Sequence, residues 1–230
     1  MKPTITILLL VLAVTATLAQ KKVQASEIIR QINEGRTVEY TNTEIEGDLD
    51  FTNLKNSRLE HSGGWGDDET WESEVEVTVS FTNCTFLGDV LAYYHIDRKD
   101  ATYIAHFEKD VLFKNCTFSR MSEFKYSEFR GTASFVGSTF DREANFKYAE
   151  FSQGPVFSET RFDDGADFKY TEFPRETTFE NAKFRGLANF KYSKFRSPLN
   201  MRNAEFNGNE DFKYTTIDGR NFTSYLLRKN

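Results

Sequence analysis

Few side chains in this sequence have a type and spacing that would suit catalysis or metal binding. The three histidines are His61, His95 and His106. None of them has a neighbour at the spacing of a metal ligand, and the acidic run at 67–69 lacks the alternating oxygen ligands of a calcium loop. Residues 93–97 (Tyr-Tyr-His-Ile-Asp) could form a small pocket, so an enzyme with a site in the segment 87–106 is an alternative. A lone histidine needs convergent partners to do chemistry, and the sequence therefore predicts no enzyme activity, metal or cofactor.

A row of aromatic and charged residues repeats along the chain with a constant period. The tripeptide Phe-Lys-Tyr begins at residues 124, 146, 168, 190 and 212. Side chains that alternate with inward-facing phenylalanines point outward, so stacked coils would arrange them in columns with a step of about 4.8 Å. The tyrosine column would contain Tyr126, Tyr148, Tyr170, Tyr192 and Tyr214. Its flanks would be a lysine column (Lys125, Lys147, Lys169, Lys191 and Lys213) and the glutamates Glu128, Glu150 and Glu172.

Two interpretations of these columns follow from their chemistry. Stacked rings stabilise a flat sheet without any ligand, and the glutamates would then neutralise the lysine column. An exposed, flat stripe of aromatic rings beside charges also suits a polysaccharide or an extended partner chain. On the second interpretation, the candidate binding residues are the five tyrosines together with Lys147, Lys169 and Lys191.

The two cysteines stand in near copies of one segment. Residues 81–86 read Phe-Thr-Asn-Cys-Thr-Phe and residues 113–118 read Phe-Lys-Asn-Cys-Thr-Phe. Cys84 and Cys116 are therefore equivalent positions, and their separation exceeds one period by ten. If the surplus residues leave the repeat as a loop, the two cysteines lie on successive coils within the Cα range of a disulfide. The sequence leaves open whether they form that disulfide or remain reduced.

Large apolar residues recur from Phe113 to Phe222 at spacings that alternate between five and six. Phenylalanine fills nineteen of these 21 positions, and Met201 and Ile217 fill the other two. Residues five apart on an α-helix lie about 140° apart, so a helix would not align the rings. A coil of about 22 residues with four apolar positions instead predicts a four-sided solenoid. The six-residue spacers contain five glycines and three prolines, which suit corners: Gly131, Gly154, Gly165, Gly186, Gly208, Pro155, Pro174 and Pro198.

Small side chains precede the apolar positions by two residues, and Asn or Asp often precedes them by one. Both occur together at Ala144-Asn145, Ala166-Asp167 and Ala188-Asn189. This pattern resembles the pentapeptide repeat family, whose tandem units run Ala, Asp or Asn, Leu or Phe, and two variable residues. The resemblance implies an all-β fold, a right-handed quadrilateral β-helix with the apolar and small residues inside. Some cytoplasmic members of that family mimic DNA with an acidic face and protect a topoisomerase, which gives an alternative function.

The first residues are typical of a secretory signal. Lys2 supplies a positive charge, residues 5–18 form an apolar run, and small residues lead to a cleavage position after Ala19. A membrane anchor needs about 20 apolar residues, more than the 14 of this run. We therefore expect a signal peptide at 1–19, export to the periplasm or the cell exterior, and no membrane span in the mature chain. Export and the lysine column both argue against the DNA-mimicking function.

A cap is expected ahead of the repeats, because a solenoid end exposes an open core and unpaired backbone groups. It would occupy 20–46 and contain a short helix, with Ser26 as its N-cap and Gly35 just past its end. The other predicted parts are the solenoid at 47–222, loop excursions near 56–74 and 87–106, and a C-terminal tail at 223–230, through which a homodimer would form.

The composition adds a constraint on partners. The chain has 35 acidic and 29 basic side chains, a formal net charge of −6 at pH 7, which disfavours nucleic-acid binding. The sequence as a whole predicts an exported, non-enzymatic scaffold or binding module, with a protein or a polysaccharide as its partner.

Overall fold

The structure is a computed structural model that describes residues 21–60 and 69–222. The signal peptide expected at 1–19 and the tail at 223–230, with the homodimer expected there, lie outside these residues. His61 and most of the acidic run at 67–69 also lie outside them. In the described part of the chain, no helix is long and apolar enough to cross a membrane.

The described chain winds into a four-sided parallel β-helix. Successive coils pair in register, as Phe118 does with Phe140 and Phe140 with Phe162, so one coil corresponds to one period of the sequence repeat. The first coil begins at Val38, the second at Val79 and the third at Val111. Each coil places short strands on four faces, which we number in chain order, and the faces form because neighbouring coils satisfy one another's backbone groups.

Faces 1 and 2 begin each coil. The strands of face 1 are Val38–Thr41, Val79–Thr82, Val111–Lys114, Ala133–Ser134, Thr177–Thr178 and Leu199–Asn200. Isolated bridges at Val156 connect the two parts of this face. The strands of face 2 are Lys21–Gln24, Thr43–Glu46, Thr85–Phe86, Thr117–Phe118, Thr139–Phe140, Arg161–Phe162, Lys183–Phe184 and Glu205–Phe206.

Faces 3 and 4 complete each coil. The strands of face 3 are Leu49–Asp50, Val90–Leu91, Ser122–Glu123, Ala144–Asn145, Ala166–Asp167, Ala188–Asn189 and Glu210–Asp211. The sheet of face 4 contains Arg58–Glu60, Glu69–Val75, Tyr93–Ile96, Ala101–Phe107, Glu128–Phe129, Glu150–Phe151, Glu172–Phe173, Lys194–Phe195, Thr216–Ile217 and Arg220–Asn221.

The phenylalanines form stacked columns inside the β-helix. One column contains Phe124, Phe146, Phe168 and Phe190, all fully buried. Its ring centroids are 4.9–5.1 Å apart and the planes lie within 13° of parallel. Rings of neighbouring columns meet edge to face, as Phe168 does with Phe157 at 5.3 Å. Each ring thus makes favourable aromatic contacts along and across the coils, which explains why phenylalanine fills nearly every apolar position.

Small residues fill the inward positions between the rings. Ala144 is fully buried and leaves room for the neighbouring phenylalanines. At five such positions the hydroxyl donates to a phenylalanine carbonyl of the preceding coil: Ser138, Thr160, Thr171, Ser193 and Thr215. Thr171 donates to Phe146 at 2.7 Å and Thr215 donates to Phe190 at 2.6 Å. These hydroxyls are therefore buried with a hydrogen-bond partner and without the cost of an unpaired polar group.

The two excursions are β-hairpins, and the prediction of loops was wrong. Arg58–Glu60 pairs antiparallel with Glu69–Val75, and Tyr93–Ile96 pairs antiparallel with Ala101–Phe107. A 3-10 turn at Asp97–Lys99 connects the second pair. The two long strands pair in parallel along their whole length, so the hairpins form one four-stranded sheet, which we call the wing. A single hairpin is marginally stable. The pairing between the two hairpins of the wing therefore stabilises both of them.

Both hairpins are inserted at the corner between faces 3 and 4. In later coils a turn of two residues, Lys and Tyr, closes this corner. In the second coil the equivalent hydrogen bond runs from the Ala105 N–H to the Ala92 carbonyl at 2.8 Å, with residues 93–104 between them. The corner therefore holds twelve residues instead of two, which accounts for the ten surplus residues between the cysteine segments.

A helix at Ala25–Asn33 covers the first coil, as the sequence predicts for a cap. Its residues Ile28 and Ile32 are buried in the same apolar cluster as Leu49 of face 3. Gly35 follows the helix with a φ of 70°, the left-handed conformation that glycine adopts at a helix C-terminus.

The prediction that Ser26 is the N-cap was wrong. The N-cap is Gln24, which makes no side-chain capping bond, and Ser26 lies inside the first turn. The preceding strand Lys21–Gln24 pairs with Thr43–Glu46 of face 2, and the helix starts where that strand ends. Tertiary pairing therefore sets the helix start, and no capping side chain is needed.

Candidate functional site at the tyrosine corner

The corner between faces 3 and 4 brings the candidate lysines and tyrosines together in five successive coils. Each turn starts at a phenylalanine and has tyrosine as its third residue. In one coil the Thr171 N–H donates to the Phe168 carbonyl at 3.1 Å, and the Tyr170 N–H donates to the Lys191 carbonyl of the next coil at 3.1 Å. The tyrosine corner consists of Tyr126, Tyr148, Tyr170, Tyr192 and Tyr214.

All five tyrosines have a left-handed backbone, with φ between 60° and 63°. Glycine or asparagine is usual at this turn position, because a side chain makes the conformation strained. The opposite corner, between faces 1 and 2, has positive φ at Asn42, Asn83, Asn115, Gly137, Glu159, Asn181 and Asn203. We call it the asparagine corner. Because the chain mostly uses Asn or Gly there, the backbone alone does not explain the five tyrosines, and their side chains must.

The five rings stack face to face. Successive centroids are 4.7–4.8 Å apart and the planes lie within 16° of parallel, so the column is about 19 Å long over its four steps. Inner rings therefore have both faces against neighbouring rings, and they present edges and hydroxyls to solvent. The predicted stacking of the five tyrosine rings is confirmed. It excludes one mode of binding, because a sugar cannot stack on a ring face that is already covered.

The lysine side chains lie against the tyrosines. Each Nζ is 4.8–5.5 Å from the ring centroid of the tyrosine that follows it, within cation–π range. The expected neutralisation of these lysines by the glutamates was wrong. Glu128 pairs with Arg130 at 2.9 Å and Glu172 pairs with Lys194 at 2.6 Å, so these two carboxylates are engaged on face 4.

The wing adds a sixth ring to the column that sequence reasoning did not single out. The ring of Tyr93 lies 5.9 Å from that of Tyr126, tilted by 54°. Lys125 Nζ donates to the Tyr93 hydroxyl at 3.0 Å and lies 4.4 Å from its ring centroid. The sequence spacing could have identified Tyr93. It precedes Lys125 by the same interval that separates Cys84 from Cys116, so the two residues lie on consecutive coils.

Face 3 orients the lysine backbone from the other side of the corner. The side-chain oxygen of Asp167 accepts the Lys169 N–H at 2.9 Å, and that of Asn189 accepts the Lys191 N–H at 3.2 Å. Burial raises the pKa of Asp167 above its usual range, although the Lys169 N–H acts in the opposite direction. These bonds fix the turn and explain why Asp or Asn often precedes the corner phenylalanine.

Glu123 is the most perturbed carboxyl beside the corner. Its pKa is raised to about 7, mainly by burial and also by repulsion from Glu143 and Asp89. A hydrogen bond from Asn145 at 2.8 Å and the charge of Lys125 act in the opposite direction. Protonation of this carboxyl therefore changes the charge beside Lys125 near neutral pH.

The wing carries a separate aromatic row. The rings of Tyr94 and Tyr103 stack at 4.6 Å, and those of Tyr103 and Trp71 lie 6.4 Å apart within 12° of parallel. Leu59 pairs with Trp71 on the neighbouring strand and is partly exposed. The prediction of a loop excursion near 87–106 missed this row, because the row depends on strand register between the two hairpins.

The two described histidines lie apart and have different surroundings. His95 Nδ1 is 2.9 Å from the Thr102 hydroxyl, and its Nε2 is 3.4 Å from Asp97. His106 is buried and accepts the Glu128 N–H at Nδ1. Within residues 21–60 and 69–222, no three His, Cys, Asp or Glu side chains are arranged to hold a metal ion.

Cys84 and Cys116 are unbonded, buried thiols in this structure. They occupy the same inward position in the second and third coils, and the Thr117 N–H donates to the Cys84 carbonyl at 2.9 Å. The loop-out of the ten surplus residues thus brings them together as the sequence predicts.

These features define the class of the protein: a parallel β-helix of tandem short repeats with regular polar columns on its surface. The family model described as pentapeptide repeats (9 copies) matches residues 105–150 and 146–194. Residues 105–194 of this chain are therefore pentapeptide repeats. The matched segment contains most of the tyrosine corner and begins after the first three strands of the wing. No curated protein matches the chain, and no solved structure matches it.

Proposed function

We propose that the protein is an exported, non-enzymatic module that binds an extended polysaccharide along the tyrosine corner. The observation that carries the proposal is the tyrosine at a left-handed turn position in five successive coils. Strained backbone positions of this kind cost on the order of 1 kcal/mol or more each, and they cluster at functional sites. The asparagine corner shows that the same β-helix can turn with less strained residues.

The corner offers a polar lattice to a ligand. Each coil adds one phenolic hydroxyl and one ammonium group, and the rings that carry the hydroxyls are spaced by 4.7–4.8 Å over about 19 Å. An extended ligand with hydroxyl groups at regular intervals can donate to and accept from such a lattice. The binding mode is hydrogen bonding to ring edges, which leaves the ring stack intact.

A polysaccharide fits this surface better than a protein does. Protein interfaces are anchored by apolar side chains in pockets. The inner rings of the column have both faces covered, and the pocket lined by Tyr214 and Phe222 lies at the end of the column. Beside the lysines, the ion pairs of Glu128 with Arg130 and of Glu172 with Lys194 place further charges of both signs on face 4, an arrangement that does not select a strongly charged polymer. The apolar run at 5–18, with its small residues up to Ala19, supports export to where such polysaccharides occur.

The test separates the hydroxyls from the stack. The triple variant Tyr148→Phe, Tyr170→Phe, Tyr192→Phe keeps the rings and the cation–π contacts but removes three hydroxyls. We expect its melting temperature to stay within about 3 °C of the wild type. The affinity measured by its retention on insoluble cell-wall and extracellular polysaccharides should fall on the order of 100-fold, since the three lost hydrogen bonds contribute about 1 kcal/mol each and about 1.4 kcal/mol corresponds to a factor of ten.

A matched control comes from the opposite side of the β-helix. Asn181→Gly with Asn203→Gly changes two left-handed positions of the asparagine corner and should leave retention unchanged. Equal retention of the triple variant and the wild type would refute binding through the hydroxyls. If neither protein is retained on any polysaccharide, the proposed function is wrong and the column serves only to stabilise the coils.

A further inference from the structure

The two cysteines of this chain occupy one column of the core. The chain has two cysteines in total, and both stand at the same inward position of consecutive coils. Other coils fill that position with Thr43, Ser138, Thr160, Ala182 and Ala204. The column therefore requires a small side chain but no sulfur, and packing does not explain the pair.

The geometry between the two coils suits a covalent bond. Thr85 and Thr117, which follow the cysteines, are paired in register. Neighbouring strands are about 4.8 Å apart, within the Cα separation of about 4.4–6.8 Å that a disulfide spans. Cys84 Sγ contacts the Thr82 carbonyl at 3.4 Å and Cys116 Sγ contacts the Phe81 carbonyl at 3.4 Å, and the two thiols also interact with each other. These contacts are weak, so rotation of the thiols towards each other sacrifices little.

The two thiols also differ in acidity. The hydrogen bond from Cys116 lowers the pKa of Cys84 to about 7, although burial acts in the opposite direction. The same interaction and burial raise the pKa of Cys116. In a locally opened coil that keeps this contact, Cys84 therefore forms the reactive thiolate more readily than Cys116 does.

We infer that Cys84 and Cys116 are a modification site at which an external disulfide, such as oxidised glutathione or the disulfide of a thiol oxidoreductase, joins the second coil to the third. The Cys84 thiolate attacks one sulfur of the external disulfide and releases one thiol, which leaves a mixed disulfide. Cys116 then loses its proton and attacks the Cys84 sulfur, which forms the Cys84–Cys116 bond and releases the second thiol. Two electrons pass to the external disulfide, and the two cysteines lose one proton each.

Burial determines when this exchange occurs. Both cysteines are 1% exposed, so an external disulfide reaches them before the coils stack or when they open locally. Once the coils have stacked, the same burial protects the bond from reductants. The bond closes a loop of about 30 residues and restricts the unfolded chain, which stabilises the fold.

The experiment is oxidative refolding followed by thiol counting. The purified chain is unfolded and refolded with reduced and oxidised glutathione, and a second sample is refolded with a reductant. Both are then denatured in acid and alkylated, and their intact mass is measured. We expect the reduced sample to take up two alkyl groups. The oxidised sample should take up none, yield a cross-linked peptide containing both cysteines, and melt about 5–15 °C higher.

The variants Cys84→Ser and Cys116→Ser are the controls, because Ser138 occupies the same column in the fourth coil. Neither should gain thermal stability on oxidation. The inference is overturned if the oxidised wild type is a monomer with two alkylated thiols. It is also overturned if glutathione adducts or disulfides between chains account for the lost thiols. Mass measurement on the wild type gives these outcomes even where a variant fails to fold.

Discussion

Three consecutive residues of one coil lie in three different environments. Phe168 is fully buried in the ring columns, Lys169 lies with its Nζ 5.1 Å from the next ring, and Tyr170 stacks in the tyrosine corner. The position of a residue in the repeat determines whether the turn directs its side chain into the core or towards the surface. A shift of one residue would therefore bury an ammonium group, which is far more costly than the strain of the turn. This is why the same residue types recur at the same positions in five coils.

Glu123 gives the first prediction at this scale. Its folded-state pKa is about 7, against an ordinary value of 4.5, so the unfolded chain ionises first as the pH rises. The free energy of unfolding therefore falls between about pH 4.5 and pH 7, and the loss is complete above pH 7. Glu123→Gln keeps an acceptor for Asn145 and removes the charge. Because the group is only partly buried, we expect the variant to be more stable than the wild type by about 1 kcal/mol at pH 8 and equal to it at pH 4.

Denaturant unfolding at both pH values measures this difference. Glu150→Gln, at an exposed carboxylate of face 4, is the matched control and should not reproduce the gain at pH 8. A Glu123→Gln variant that gains nothing at pH 8 would show that the ionised carboxyl is not destabilising where it lies.

At the scale of the element, some glycines in the six-residue spacers lie directly against the backbone of the preceding coil. A Cβ on Gly186 would overlap the Asp164 carbonyl of the preceding coil, whereas the nearest atom to a Cβ on Gly165 is Cγ of Glu143 at 3.6 Å. The first glycine is required by contact between coils, and the second is not. The two glycines occupy adjacent positions of the repeat, but the preceding coil places a backbone carbonyl against Gly186 and only a side chain near Gly165.

This contrast predicts unequal effects of the same substitution. Gly186→Ala should lower the free energy of unfolding by about 2–4 kcal/mol, because the backbone of two coils must separate. Gly165→Ala should change it by no more than about 0.5 kcal/mol. Chemical denaturation of both variants is the measurement, and similar values for the two would mean that the corner adapts to a methyl group at little cost.

At the scale of the whole molecule, the wing is an insertion that the solenoid does not need. The Ala105 N–H already makes the corner hydrogen bond to the Ala92 carbonyl, as in coils that have no hairpin. Replacing residues 93–104 by Lys-Tyr should therefore restore an ordinary corner. We expect a monomeric, cooperatively unfolding variant with a β-type circular dichroism spectrum and a melting temperature within about 10 °C of the wild type.

A deletion of the same net length provides the control. Removing 87–96 also shortens the chain by ten residues, but it takes away the face 3 strand Val90–Leu91 and the buried Ala92. That variant should fail to fold. If the Lys-Tyr replacement also fails, the wing belongs to the folding core and is not a modular insertion.

Much of the architecture was predictable from the sequence. The period of the repeat, its four apolar positions and the equivalence of Cys84 and Cys116 follow from spacing, because residues that recur at a fixed interval in a repeat occupy equivalent environments. The outward direction of Lys169 and Tyr170 follows in the same way from their place beside Phe168. The strand pairing and the family match confirm the repeat fold.

The tertiary structure alone decided how the surface groups meet. Three features depend on distances between coils and on rotamers, which the spacing of residues in the sequence does not specify. They are the covered faces of the tyrosine rings, the contact of the lysines with those rings, and the ion pair of Glu172. The wing depends on pairing between hairpins that belong to different coils, and the helix start depends on strand pairing with face 2. The sequence determined which side chains recur in each column, because equivalent residues of successive repeats adopt the same local backbone conformation. Only the stacked coils decided which atoms each side chain contacts, because those atoms belong to other coils.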